Sequence, residues 1–352
     1  MRFIHIADVH LGRRPDVSFP WGHEREEELW TTFAAIAGDC RKKEADLLLI
    51  AGDLFDTPPA VEELKRANEI LAGIAPTQVV LISGDCDFVR PGGAYDEFSW
   101  ADNVHFLKAA EEESVYLKQL DTSVCGMSYR RSADGSRRLE DMRPDGESRY
   151  CILLAHGGDP KHLPFHTEEL EKAGFDYVAL GHEHQPRFLV PGHIAYAGSP
   201  EPLCKDEIGK HGYLLGELTQ KGCRVSFVPV SVREYVSLKV RVSADIGSDE
   251  LQKRLKAVME KQGERNIYMI TLNGKHALKQ IYDRAALLAL GNVVEVDDRT
   301  VPDYDLVALM DEHRDDVVGM YMEELLKRPS DPKVQRALYC GLEALLDQEE
   351  TN

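Results

Sequence analysis

Apolar runs within the first 184 residues of the 352-residue chain end, one after another, on side chains that can hold a metal or move a proton. RFIHIADVH ends with Asp8 and His10, and DLLLIAGDLFD with Asp53 and Asp56. QVVLISGDCD ends with Asp85, Cys86 and Asp87, CILLAHGG with His156, and YVALGHEH with His182 and His184. Singly, each is accounted for by a polar turn. Together they place Asp or His at strand ends, several beside a glycine that lets the backbone pass close, and the carboxyl ends of strands are where open α/β sheets bind ligands. The period of two along a strand would put both imidazoles of H-x-H on one face. Mixed carboxylate and imidazole donors suit divalent manganese, iron or zinc. The donors are too many for one ion, and a carboxylate can bridge two ions about 3.5–4 Å apart. Such a pair binds a phosphate oxygen, lowers the pKa of a water between the ions and stabilises an in-line displacement, which is phosphoester hydrolysis. Two divalent ions are therefore the expected cofactor, manganese first, with iron, zinc and magnesium as alternatives.

The elements that must position these residues read as an α/β fold. RFIHIA, DLLLIAG and QVVLISG alternate with the helical patterns HEREEELWTTFAAIAGDCRKK and VEELKRANEILAGI, as in βαβ units with parallel pairing. Near-continuous apolar runs suit strands buried on both faces. Shorter strands from SVYLKQL to CRVSFVPV form a second sheet packed on the first. From Glu234 the pattern changes to YVSLKVRV, the helix SDELQKRLKAVMEKQ with Ser248 as its N-cap, NIYMITLNG, the helix LKQIYDRAALLAL and NVVEVD. The expected domains are residues 1–233, a small α/β accessory domain over 234–300, and a helical segment over 301–352.

Composition narrows the class. Hydrophobic residues make up 43% and charged residues 29% of the chain, the balance of a soluble globular protein. No apolar run reaches the roughly 18 residues of a spanning helix, and MRFIHIADVH reads as a first strand and not as a secretory leader. The seven cysteines are scattered, with no C-x-x-C pair, which argues against a disulfide framework and for a reducing cytoplasm. A net charge of −19 would repel a phosphate backbone at long range. A phosphate substrate therefore needs a local positive centre, which bound cations would supply.

In order, D-V-H, G-D, G-D-C-D, His156 and G-H-E-H resemble the motif series D-x-H, G-D, G-N-H-D/E, H and G-H-x-H of the calcineurin-like metallophosphoesterases. More narrowly, DVHLG, AGDLFD and YAGSPEPL resemble the nuclease subunit of SbcCD-type (Mre11-like) DNA repair complexes, and the accessory domain and helical end resemble the YhaO branch. The resemblance implies two mixed sheets flanked by helices in four layers. It implies one metal on Asp8, His10, Asp53 and His184, and another on Asp53, Asp85, His156 and His182, with Asp53 as the bridge. It also implies DNA as substrate, an SMC-like (SbcC/YhaN-type) ATPase partner, and a dimer. Gly198 and Ser199 fall in a loop that the family uses near its metals.

The chain departs from this pattern where the family has Asn and His and it has Asp85 and Cys86. A cysteine is a poor donor and carries no positive charge, so Cys86 replaces a contact to the phosphate and leaves Asp87 without its imidazole partner. Beside two cations the Cys86 thiol could ionise. With the catalytic roles falling on Cys86, Asp87 and His156, a slow or altered nuclease is expected. Arg13, Arg14 and Arg90 flank the mouth and, with His23 before a helix, are candidates to meet substrate; His5 reads as a core histidine. A small-molecule phosphodiesterase and a weakly catalytic scaffold for the ATPase stay open. Two divalent ions bring about +4; three ionised aspartates leave about +1, against about +2 with an amide at position 85. Asp85→Asn is therefore expected to bind Mn²⁺ more weakly than the parent in a metal titration, and equal or tighter binding would contradict this.

Overall fold

The computed structural model describes residues 1–131, 138–144, 146–328 and 331–349. The chain divides into two compact units, Met1–Tyr235 and Val236–Asn352. The first runs β1 (Arg2–Ile6), α1 (Gly22–Lys42), β2 (Leu47–Ala51), α2 (Val61–Ala72), β3 (Gln78–Ile82), α3 (Ala94–Glu97), β4 (Val104–Phe106), β5 (Glu113–Leu117), β6 (Thr122–Gly126), β7 (Tyr150–His156), α4 (Thr167–Glu171), β8 (Tyr177–Gly181), β9 (Arg187–Val190), β10 (Ile194–Tyr196), β11 (Gly212–Thr219) and β12 (Gly222–Pro229).

These strands form two six-stranded mixed sheets, ordered β12-β11-β1-β2-β3-β4 and β5-β6-β7-β8-β10-β9. In the first, β1 to β4 are parallel; β11 and β12, expected from the sequence in the second sheet, extend the first one instead, because β11 pairs antiparallel with β1 and β12 with β11. In the second, β6, β7, β8 and β10 are parallel, with antiparallel edges β5 and β9. Alternation along the strands divides the apolar side chains between two faces. Phe3, Leu47, Leu49, Val80 and Ile82 pack between the sheets against Val124, Ile152, Leu154, Tyr177 and Ala179. Ile4, Ile6, Leu48, Ile50 and Leu81 face the other way, onto Leu29, Trp30, Phe33 and Ile36 of α1 and Leu64, Ala67 and Leu71 of α2. Those helix residues recur every three or four positions, so each helix buries one stripe. The far face of the second sheet covers Leu139, Leu170 and Phe175. The result is the four-layered α/β arrangement with helices outside two sheets.

The second unit holds β13 (Tyr235–Val242, which begins on the last residue of the first unit), α5 (Ser248–Gln262), β14 (Ile267–His276), α6 (Arg284–Leu288), β15 (Val293–Asp298), β16 (Val301–Pro302) and helices α7 (Leu306–Glu312), α8 (Val317–Leu326) and α9 (Pro332–Glu349). Two sequence expectations change here. Helix α6 is one short turn and does not begin at Leu278, because the Asp283 carboxylate accepts the Ala285 N–H at 2.8 Å and caps the helix there. Gly247, not Ser248, is the N-cap of α5; Ser248 turns its hydroxyl to Ile281 O and accepts from Gln280. No helix among the described residues is long and apolar enough to cross a membrane.

The sheets approach closely at the ends of β2 and β8. A Cβ added at Gly181 would lie 2.0 Å from Ala51 O and 2.8 Å from Ala7 Cβ. Gly181→Ala is therefore expected to force the layers apart and to cost about 1–3 kcal/mol or more, read from urea unfolding; unchanged stability would contradict this packing.

Candidate metal centre

Parallel neighbours place their carboxyl ends side by side, so the residues after β1, β2 and β3 share one rim with those after β7 and β8. The rim is tied by backbone bonds: Asp8 N–H donates to Gly52 O at 3.1 Å, His10 N–H to Asp53 O at 3.0 Å, and Gly157 N–H to Gly181 O at 3.1 Å. The His182 N–H donates to both Asp8 oxygens at 3.0 Å. Asp8, His10, Asp53 and His182 all have positive φ, at 53°, 49°, 49° and 99°. Left-handed backbone at non-glycine residues is sparsely populated and clusters at functional sites. Gly84 matters for space: a Cβ there would lie 2.1 Å from Asp53 Oδ1.

The side chains converge in two sets. Donor atoms of Asp8, His10 and His184 lie within 4.8 Å of one another, as do those of Asp85, His156 and His182. Asp53 stands between them, its Oδ2 3.6 Å from both His10 Nε2 and His156 Nε2. Each imidazole is held from behind. His10 Nδ1 meets Asp56 at 3.1 Å, His184 Nδ1 meets Glu207 at 2.7 Å, His182 Nε2 meets Asp159 at 2.7 Å, and His156 Nδ1 donates to Ala51 O at 2.9 Å. An outer acceptor fixes the tautomer and turns the other nitrogen's lone pair inward, as in metal-ligating histidines. His10 Nε2 is fully buried and, among the described residues, has no hydrogen-bond partner, an orphaned donor atom that a cation would satisfy. His182 and His184 do not share a face: β8 ends at Gly181, and the positive φ of His182 sends the two rings into different sets, against the strand-period expectation.

The charges point the same way. Burial raises the Asp8 carboxyl, and neighbouring Asp53 raises it further against nearby histidines. Burial also opposes ionisation of Asp85, yet hydrogen bonds from His156 and His182 hold it far below the usual carboxylate range. Burial pulls His156 down, but Asp53, Asp85 and Asp8 push it up to about 10. Protons on imidazoles thus partly neutralise crowded carboxylates. Divalent cations in the same place displace such protons, so the residues fit a metal centre.

Cys86 lies at this rim, its N–H donating to Asp53 Oδ1 at 3.0 Å. Burial, Asp53 and Asp85 push its thiol far up, so these neighbours disfavour the thiolate before any cation's charge is counted. Asp87, without an imidazole beside it in the chain, is held by backbone donors instead. Its carboxyl accepts from Gly84 N–H at 2.6 Å and Phe55 N–H at 3.2 Å, locking the β3 loop to the β2 loop, and burial with Asp53 raises it to about 8. Arg13 reaches the site through Asp56 at 3.4 Å. Arg14 pairs with Glu26, Arg90 lies over the Phe88 ring, and exposed His23 bonds Pro20 O; among the described residues none of the three bonds a donor of the two sets. His5 is buried against Tyr177, and Ser199 N–H donates to His184 O at 2.9 Å. Sequence reasoning missed Glu207 and the pair Asp159 and His162. H-G-G-D carries a signal for Asp159, an acid after glycine as in AGD and SGD; Glu207 lies in a loop without pattern.

The calcineurin-like phosphoesterase family model matches residues 1–186 of the 352. The chain belongs to that family. As a calcineurin-like phosphoesterase it is a metal-dependent hydrolase. This phosphoesterase is 30% identical over 287 residues to the DNA double-strand break repair protein Mre11 of Methanopyrus kandleri, covering 73% of this chain and 62% of that protein. It is 29% identical over 308 residues to the Mre11 protein of Sulfurisphaera tokodaii, covering 80% and 75%. With the uncharacterized metallophosphoesterase YhaO of Bacillus subtilis it shares 32% over 244 residues, covering 62% and 58%. The match thus spans less than two thirds of the Methanopyrus and Bacillus proteins.

Because Glu207 holds His184 from behind, Glu207→Gln is expected to weaken Mn²⁺ binding about 10–100-fold by calorimetric titration; unchanged affinity would contradict the outer-shell role.

Proposed function

We propose that this phosphoesterase is a nuclease subunit of the SbcD/YhaO type that hydrolyses DNA phosphodiester bonds. Two divalent ions, manganese first, would be held by Asp8, His10, Asp53 and His184 and by Asp53, Asp85, His156 and His182. The observation that carries the reading is the pairing of two inward-facing donor sets through Asp53. Bound there, the ions supply Lewis acidity toward a phosphoryl oxygen and a more acidic water. Arg13, on Asp56 at the rim, and exposed Arg90 are candidates to meet the flanking phosphates, with His23 further out. The repair proteins among the relatives favour DNA over a small ester.

The proposed partners are a second copy and an SMC-like (SbcC/YhaN-type) ATPase, in the cytoplasm. The unit Val236–Asn352 lies beyond the matched family region, and a small-substrate esterase does not need it. Val307, Val317 and Met320 on α7 and α8 are 60–74% exposed, which supports a partner surface.

Cys86 favours a second reading, a weakly catalytic scaffold. Its thiol gives the phosphate no strong donor, and general acid–base help is worth about 10²–10⁴-fold. Incubation with Mn²⁺ and duplex DNA, single-stranded DNA or bis-p-nitrophenyl phosphate separates the readings. Cleavage of DNA is expected; turnover of the ester alone would point to a small-molecule phosphodiesterase, and of none to a scaffold. The double substitution Asp85→Asn, Cys86→His is expected to raise phosphodiesterase turnover at least about tenfold, and no gain would contradict the role given to Cys86.

A further inference from the structure

We infer that His162, oriented by Asp159, donates the proton to the leaving oxygen of the phosphoester. The inference rests on the hydrolytic reading of the metal centre.

The imidazoles of His10, His156, His182 and His184 each spend one nitrogen on an outer acceptor and turn the other toward the clustered carboxylates. None has a nitrogen left for a substrate. His162 differs. Its Nδ1 meets Asp159 Oδ2 at 2.7 Å, and its Nε2 faces Asp85 Oδ2 at 3.8 Å, beyond hydrogen-bond distance. Among the described residues that nitrogen has no hydrogen-bond partner. The side chain is 16% exposed, at the rim and not sealed within it.

The loop after β7 is built to hold this ring. Gly158 N–H donates to His162 O at 2.6 Å, His162 N–H to Asp159 O at 3.1 Å, and Lys161 N–H to Asp159 Oδ1 at 2.7 Å. Leu163, next in the chain, is buried in the outer core of the second sheet. The imidazole lies over His182, with ring centroids 4.6 Å apart, and beside Tyr129, whose hydroxyl donates to His156 O. Asp159 therefore serves both rings, as acceptor behind His182 and as acceptor behind His162. Two contacts of 2.7 Å from one carboxylate oxygen are hydrogen-bond lengths, which favours a His–Asp pair over a third cation between the same groups.

In the step, the oxygen of a water bonds to phosphorus as the bond from phosphorus to the ester oxygen breaks. The electron pair stays on the ester oxygen, which takes the proton from His162 Nε2, while Nδ1–H remains on Asp159. The water's proton passes to solvent, and solvent reprotonates His162. This supplies from another loop the donor that the thiol of Cys86 does not provide.

His162→Gln tests the assignment without disturbing Asp159 behind His182, and His162→Asn repeats it with a shorter side chain should Gln impair folding. Turnover of diphenyl phosphate, a poor leaving group, is compared with that of bis-p-nitrophenyl phosphate, a good one, and bound Mn²⁺ is counted by mass spectrometry. The expected result is an unchanged metal count, a loss of about 100-fold on diphenyl phosphate, and a markedly smaller loss on the nitrophenyl ester. Equal losses on both esters, no loss, or a lower metal count would overturn the inference, the last by making His162 a ligand. A parent that binds Mn²⁺ yet hydrolyses neither these esters nor duplex or single-stranded DNA overturns the hydrolytic reading and this inference with it. A parent that turns over leaves the inference to be judged by the variants alone.

Discussion

Crowded carboxylates at the junction of two sheets are the constraint on which the rest of the site depends. Asp8 and Asp53 are buried, and Asp85, more open, joins them around His156. Like charges a few ångströms apart in a poorly solvated place repel by several kcal/mol. Imidazole protons relieve part of this, which is why His156 is pushed up to about 10. Cations relieve it more fully by displacing those protons, and the ring nitrogens that would bind them already face inward. The four left-handed residues of the rim add local strain, of order 1–3 kcal/mol each, that the strand ladders and cross-sheet bonds must hold.

The architecture does this by making each ligand depend on a distant element. His156 from the second sheet donates to Ala51 of the first, His184 leans on Glu207, and the His182 backbone binds the Asp8 carboxylate. Asp87 clamps two loops together where Cys86 stands beside Asp53. The glycines at 84 and 181 leave room for Asp53 and for the close approach of the layers. Binding geometry and sheet packing are thus one problem, and a change in either is felt in the other.

Much of this was legible in the sequence, because strand-end donors need only local pattern to be seen. Asp8, His10, Asp53, Asp85, His156, His182 and His184 all follow apolar runs, and the sheets collect them on one rim. What was not legible depended on long-range pairing or on backbone sign. The strand period alone put His182 and His184 on one face; the family resemblance divided them between two metals, and the positive φ of His182 is the backbone feature behind that division. The acceptor Glu207 lies in a loop with no periodicity, 23 residues from the ring it holds. Ser248 and the start of α6 were misread because a glycine and an aspartate took the capping positions that local propensity gave to their neighbours.

A chain of net charge −19 has no long-range attraction for nucleic acid, so its chemistry toward phosphate is organised around this centre. Anomalous diffraction from a crystal soaked in Mn²⁺ tests that centre most directly. The account predicts two peaks about 3.5–4 Å apart on either side of the Asp53 carboxylate, with the inward nitrogens of His10 and His184 around one and those of His156 and His182 around the other. No peak, or a single ion away from Asp53, would contradict it.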